Sequence, residues 1–397
     1  MTTTHCALTA LPPLHHGYPG RAPVVAARIG AGRLYLAGAG VYLAVRIVGV
    51  LVLALLAARH DQTLLDRLAA WDGQWYLRLA EHGYAVVGGD VNGDPYRDAS
   101  MAFFPLYPAF VATLGQLGLP LVAAGLVLSA GAGVAASAAL VRIGERVGGP
   151  RAGLLLVALW AGAPLAITQS MVMTESLFTA FAAWALVGVL ERRWELAALC
   201  CAFAGVTRST AVVVIAVVVV AASVAAWKAA GSARWRALGA VAVAPLGLAG
   251  FWGMVAVRTG SLTGWQDIEL RGWGVRYDGG VDTAQYVWDV LTTDRGAFQT
   301  LVVGIILAAV ALAAIAVRRL PWQLTVYGVG VVVLVLGTAG IPATRPRFLV
   351  PACVLLLPVA LGLARRRPAT IAAVVAVWVL AGAWASGYAL TAWKYAI

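Results

Sequence analysis

Long apolar runs separated by short clusters of arginine set the solvent in which this chain can fold. Runs of this length have only one economical fate, which is to cross a bilayer as helices that satisfy their own backbone hydrogen bonds. Composition agrees, since of 397 residues 61% are hydrophobic and only 12% are charged. That excludes a soluble enzyme and points to an all-α polytopic membrane protein. The net charge of +12 is no nucleic-acid footprint. Most cations lie between apolar runs, as cytoplasmic loops require, and no basic stripe or RNA-binding motif is present. Cys6, Cys200, Cys201 and Cys353 lack metal-ligand spacing and outline no disulfide framework.

Placing the clusters Arg21/Arg28/Arg33, Arg142/Arg146/Arg151, Arg192/Arg193, Lys228/Arg234/Arg236, Arg318/Arg319 and Arg365/Arg366/Arg367 inside fixes a path. A cytoplasmic tail over 1–32, rich in His and Pro, precedes one transmembrane domain over 33–397. The first span, 34–58, is too long for a signal peptide and is read as uncleaved. It delivers a long exterior loop at 59–100. Pro105 and Pro108 break the following apolar stretch, so its first half reads as interfacial or re-entrant and 121–141 as the second span. Residues 152–168 go out and 175–190 return. The segment 196–226 has cations at both ends but is too short for two spans. A shallow hairpin turning at Thr207-Arg208-Ser209-Thr210 fits it. After 238–257 comes a second long exterior loop, 259–297, and four further spans bring the expected count to about eleven.

The stretch Trp71-Asp72-Gly73-Gln74-Trp75-Tyr76 carries a carboxylate between two Trp, and apolar spacings of three and four predict one helix over 64–79. A carboxylate beside that apolar face must be paired or point into a wet cavity. Capping of a short interfacial helix is the competing reading. On the predicted path the unusual polar residues gather on the exterior side: Asp72, the acidic Asp90/Asp94/Asp98, Glu175, Arg208, loop 259–297 and Arg345/Arg347. Cations on the wrong side or within the membrane need a reason, and a phosphate anion suits an arginine fork. A carboxylate base with phosphate-binding arginines suggests group transfer from a lipid phosphate. Each residue also has a plainer role. Arg345 and Arg347 can snorkel, Arg208 can bridge carbonyls at a helix break, and Glu175 can cap its helix. Trp265, Trp273 and Tyr277 suit sugar stacking or an aromatic belt equally.

In order along the chain, several blocks resemble the PIG-V family of mannosyltransferases within the GT-C superfamily. They are Trp71-Asp72-Gly73-Gln74-Trp75-Tyr76 with Ala80-Glu81-His82-Gly83-Tyr84; Ala102-Phe103-Phe104-Pro105-Leu106-Tyr107-Pro108; Thr174-Glu175-Ser176-Leu177-Phe178; Gly205-Val206-Thr207-Arg208-Ser209-Thr210; and Arg345-Pro346-Arg347-Phe348 with Pro351. Thr174 and Thr210 depart from the family pattern. The resemblance implies a GT-C fold in a membrane, here of a bacterial relative, with the active site on the exterior face. It implies a polyprenyl-phosphate-mannose donor and inverting transfer of mannose to a hydroxyl of a glycolipid, glycan or protein. By position the catalytic base is Asp72. Arg208, Arg345 and Arg347 are then expected on the donor phosphate, and Glu175, Trp71, Trp75, Tyr76, His82 and Tyr107 around the acceptor. No cofactor is required, although the acidic loop leaves a divalent ion open. The rival readings are a transporter or flippase of an anionic or polyprenyl-phosphate lipid, and a related enzyme using another lipid-linked sugar.

Overall fold

The structure is a computed structural model that describes residues 31–87, 99–293 and 296–393. The tail 1–30 and the acidic residues Asp90, Asp94, Asp98 and Asp294 lie outside the described residues. In chain order the helices are α1 (Ala31–Arg59), α2 (Leu64–Leu68), α3 (Asp72–Val87), α4 (Leu106–Gln116), α5 (Leu121–Gly148) and α6 (Pro150–Ala161). They continue with α7 (Glu175–Leu190), α8 (Trp194–Gly205), α9 (Ala211–Lys228), α10 (Gly231–Val243), α11 (Leu246–Thr259) and α12 (Gly264–Trp273). The last six are α13 (Val281–Thr292), α14 (Ala297–Arg319), α15 (Trp322–Leu336), α16 (Arg345–Phe348), α17 (Leu357–Leu363) and α18 (Pro368–Thr391). A short antiparallel ladder joins β1 (Arg276–Tyr277) to β2 (Thr338–Ala339), pairing Arg276 with Ala339 and Tyr277 with Thr338.

Six helices among the described residues are long and apolar enough to cross a membrane, with α10 and α11 running together as one. A pair bent by 59° at residue 349, Pro342–Phe348 and Val350–Leu363, makes a seventh if it counts as one span. The sequence led to about eleven. The difference lies in α6, α7, α8 and α15, which are apolar but only 12, 16, 12 and 15 residues long. A 12-residue helix is only about 18 Å long, against roughly 30 Å of hydrocarbon. The segment 196–226, expected as a shallow hairpin, holds α8 and α9 joined at residues 206–210, and α9 alone is long and apolar enough to cross.

Helix α5 sits centrally, packed on α1, α6 and α7. Between helices of equal hydrophobicity, dispersion contact decides association, so small residues line the crossings. At the α5–α6 crossing a Cβ added to Gly144 would lie 2.4 Å from the Gly153 Cα. Where α8 meets α11, a Cβ on Gly247 would lie 1.8 Å from the Ala202 carbonyl oxygen.

Between α6 and α7 the backbone is irregular yet buried, so its polar groups need partners other than a helix. Side chains supply them. Arg46 of α1 donates from Nε to Ser170 Oγ at 2.9 Å and from Nη1 to the Ala161 carbonyl at 2.6 Å. Ser129 Oγ donates to the Met171 carbonyl at 2.7 Å, and the Val172 N–H to the Leu68 carbonyl at 2.9 Å. This strap carries Met173, Thr174 and Glu175 into the centre of the molecule.

The single helix expected over 64–79 is broken. Residues 69–71 separate α2 from α3, and Trp71 adopts a left-handed φ of 59°. That costs a bulky residue about 1–2 kcal/mol, and it turns the chain so that α3 starts at Asp72. Gly83 (φ 66°, ψ 176°) kinks α3 near its end.

Candidate active site

Four separate breaks in the helical bundle converge. The start of α3 provides Asp72, the strap before α7 provides Thr174 and Glu175, the α8–α9 turn provides Arg208, and α16 provides Arg347. Asp72 Oδ2 accepts from Arg347 Nη2 at 2.5 Å. The Asp72 side chain remains 30% exposed, whereas that of Arg347 is 5% exposed. The carboxylate is therefore held by a buried cation yet open to a ligand. It does not act as a simple cap, because its partner is 275 residues away.

Glu175 Oε1 lies 2.9 Å from Arg208 Nη1, which also donates to Thr174 Oγ1 at 2.9 Å. Glu175 opens α7, but its charge is answered by Arg208 and not only by the helix end. The two ion pairs share a wall. The Arg347 guanidinium lies 4.7 Å, and that of Arg208 5.2 Å, from the Phe348 ring centre. The result is two carboxylates and two guanidiniums packed around one ring, with no net charge. Spare capacity remains: Glu175 Oε2 and Arg347 Nε are buried without a hydrogen-bond partner. Tyr76 OH lies 3.5 Å from Thr174 Oγ1. Burial, then the Asp72 charge, hold its phenol above the ordinary range, so it stays a neutral donor.

The remaining expected residues are placed elsewhere. Arg345 turns away and donates from Nη2 to Asp282 Oδ2 at 2.6 Å and to the Thr338 carbonyl at 3.2 Å. It ties loop 259–297 to the α15–α16 connection, and its Nε and Nη1 are buried without partners. His82 is exposed and lies 3.5 Å from Glu81. Tyr107 is fully buried, with its hydroxyl donating to the Gly125 carbonyl at 2.9 Å and 2.8 Å from Ser129 Oγ. Trp71 packs into a separate apolar cluster containing Leu53, Leu68 and Leu165. Trp75 stacks on Phe103 at 5.4 Å.

Two contributors were not singled out from the sequence. Phe348 is one, and its position directly after Arg347 was the only available signal. Glu269 of α12 is the other. Burial, then the Asp72 charge, push its pKa up to about 8. Its spacing of four from both Trp265 and Trp273 was a legible helical signal, once the loop is known to hold a helix. Among the described residues no three His, Cys, Asp or Glu side chains gather as a metal site would need.

No protein-family model matches the sequence, and no curated protein matches it either. Solved structures do. ArnT from Cupriavidus metallidurans bound to undecaprenyl phosphate superposes with a TM-score of 0.51 at 16% identity, covering 84% of this chain. The Archaeoglobus fulgidus oligosaccharyltransferase in the apo form superposes with a TM-score of 0.46 at 13% identity, over 89% of this chain. The chain spans 61% of the length of that ArnT and 56% of that oligosaccharyltransferase. The chain shares the fold of that ArnT.

Proposed function

We propose that this protein is an inverting glycosyltransferase that takes a sugar from a polyprenyl phosphate and gives it to an acceptor hydroxyl. On the block resemblance the sugar is mannose, the membrane is a bacterial plasma membrane and the site opens on its exterior face. The observation that carries the reading is the Asp72–Arg347 pair at 2.5 Å, flanked across Phe348 by Arg208. It places a reachable carboxylate beside two buried guanidiniums. The ArnT structure with undecaprenyl phosphate shares the fold, and supports a lipid phosphate as the ligand class.

In the reaction Asp72 accepts the proton of the acceptor hydroxyl while that oxygen bonds to the anomeric carbon. The bond from that carbon to the phosphate oxygen breaks, and its electron pair leaves with the lipid phosphate. Arg347 and Arg208 stabilise that developing charge. Arg347 occupies one oxygen of the Asp72 carboxylate. Transfer of Arg347 from Asp72 to the incoming phosphate frees the base as the donor binds. Glu175 and Thr174 hold Arg208 in place. Arg345, bonded to Asp282, braces the loop over the site.

Purified protein, polyprenyl-phosphate sugars and a panel of acceptors, with products read by mass spectrometry, test the activity directly. Asp72→Asn is expected to abolish transfer while the lipid phosphate still binds. Full transfer by that variant removes Asp72 from the base role. Movement of lipid across vesicles without any sugar transfer would favour a flippase instead.

A further inference from the structure

Helix α12 lies over the start of the site, on the Phe103–Phe104 segment. Trp265, Glu269 and Trp273 follow one another at intervals of four, so they share one face. That face turns inward, whereas Gln266, Leu270 and Arg271 are exposed. Trp273 meets Trp75 and Phe103 edge-on, each at 5.8 Å. Trp265 meets Phe104 edge-on at 5.9 Å and lies 5.6 Å from Trp252 of α11.

The polar atoms on this wall are unused. The indole N–H groups of Trp252, Trp265 and Trp273 are all buried and have no acceptor among the described residues. A buried indole N–H ordinarily finds an acceptor, because leaving one without forfeits the hydrogen bond it makes in water. Glu269 likewise has no hydrogen bond or ion pair among the described residues. Burial, then the Asp72 charge, push its pKa up to about 8, toward the protonated carboxyl that offers both a donor and an acceptor. A lipid tail would leave all of these groups unsatisfied. A second anion would meet the Asp72 charge that Glu269 already feels. A pyranose fits both demands, with hydroxyls for the indole N–H and carboxyl groups and C–H faces for the rings.

We propose that the Trp265–Glu269–Trp273 face of α12, with Trp252 beside it, is a hexose-binding subsite next to Asp72. This deepens the glycosyl-transfer reading and rests on it. The sugar bound there belongs either to the acceptor or to the donor, and the chemistry is the same for both.

The test uses the full chain in lipid nanodiscs. Methyl α-D-mannopyranoside is the probe, and its binding is read by saturation-transfer NMR, which needs no catalysis. Trp265→Phe and Trp273→Phe keep the rings and remove only the N–H groups; Glu269→Leu removes the carboxyl. Glycoside binding is expected to weaken at least tenfold in the Trp265→Phe/Trp273→Phe double variant and in Glu269→Leu, at unchanged melting temperature. Turnover of polyprenyl-phosphate mannose then separates the sources. A tenfold rise in KM for methyl mannoside at constant donor KM assigns the sugar to the acceptor. A rise in donor KM, with undecaprenyl phosphate binding unchanged, assigns it to the donor. Variants that bind glycoside as wild type does, with both KM values within twofold, overturn the subsite and leave the transfer reading intact. Loss of glycoside binding in a protein that transfers no sugar keeps the subsite and removes the transfer reading.

Discussion

Replacing Arg208 by Met tests whether the centre of the site is one coupled electrostatic unit. The Glu175 side chain is 2% exposed, that of Arg208 is 13% exposed, and their charged atoms are 2.9 Å apart. Deleting the guanidinium strands a carboxylate that solvent cannot reach, with Thr174 Oγ1 freed as well. Breaking a buried pair from one side costs about 3–5 kcal/mol, or roughly 10²- to 10⁴-fold in the folding equilibrium. Replacing both partners at similar volume removes the stranded charge. The double variant Glu175→Gln/Arg208→Met should therefore recover to within about 1–2 kcal/mol of wild type. Reversible unfolding in mixed micelles, run as a double-mutant cycle, reads the coupling. Both variants should be inactive, so stability and function separate. If the costs of the two single changes simply add in the double variant, the charges are not coupled and the argument for a closed cluster fails.

Three other expectations follow from particular contacts. Glu269 has an ordinary pKa of 4.5 and a folded value of about 8, so the folded state holds a proton that the unfolded chain releases between those values. Its contribution to stability should fall as pH rises through that window and level off above it; Glu269→Gln should flatten this slope in denaturation midpoints. Gly247→Leu forces a side chain into the Ala202 carbonyl, and should cost at least about 1–3 kcal/mol, read as lost thermal stability in detergent. Asp282→Asn weakens the tie to Arg345 and should make loop 259–297 cleave faster under limited proteolysis, with the rest of the chain unaffected.

Much of this arrangement was legible because it follows from helix length and solvent. Most of the long helices, the α8–α9 turn at Arg208 and the break before Glu175 are consequences of where apolar runs stop, although the number of full spans is not. The long polar loops were less legible. Loop 259–297 reads as scattered charge, yet it contains α12 and α13, because helical period is hard to see in a short segment where charges and tryptophans share faces. The pairing of Asp72 with Arg347 spans 275 residues, and no local pattern encodes such a contact.

The two late arginines show how a local rule redistributes a reading. Arg345 and Arg347 look like one fork in the sequence, being separated by a single proline. In α16 they are helical, and a step of two residues rotates a side chain by about 200°. They must therefore face opposite ways. One reaches Asp72 and the other the loop at Asp282. On the proposed reading the pair that meets the phosphate is Arg347 and Arg208, which sequence separates by more than a hundred residues and Phe348 brings to one surface. Each guanidinium already has a carboxylate partner, so the empty site is neutral. On the proposed reading the donor enters as a phosphodiester monoanion, and the second negative charge appears only as its bond to the sugar breaks. Arg347 is then shared between Asp72 and the leaving phosphate, which links donor binding to activation of the acceptor hydroxyl.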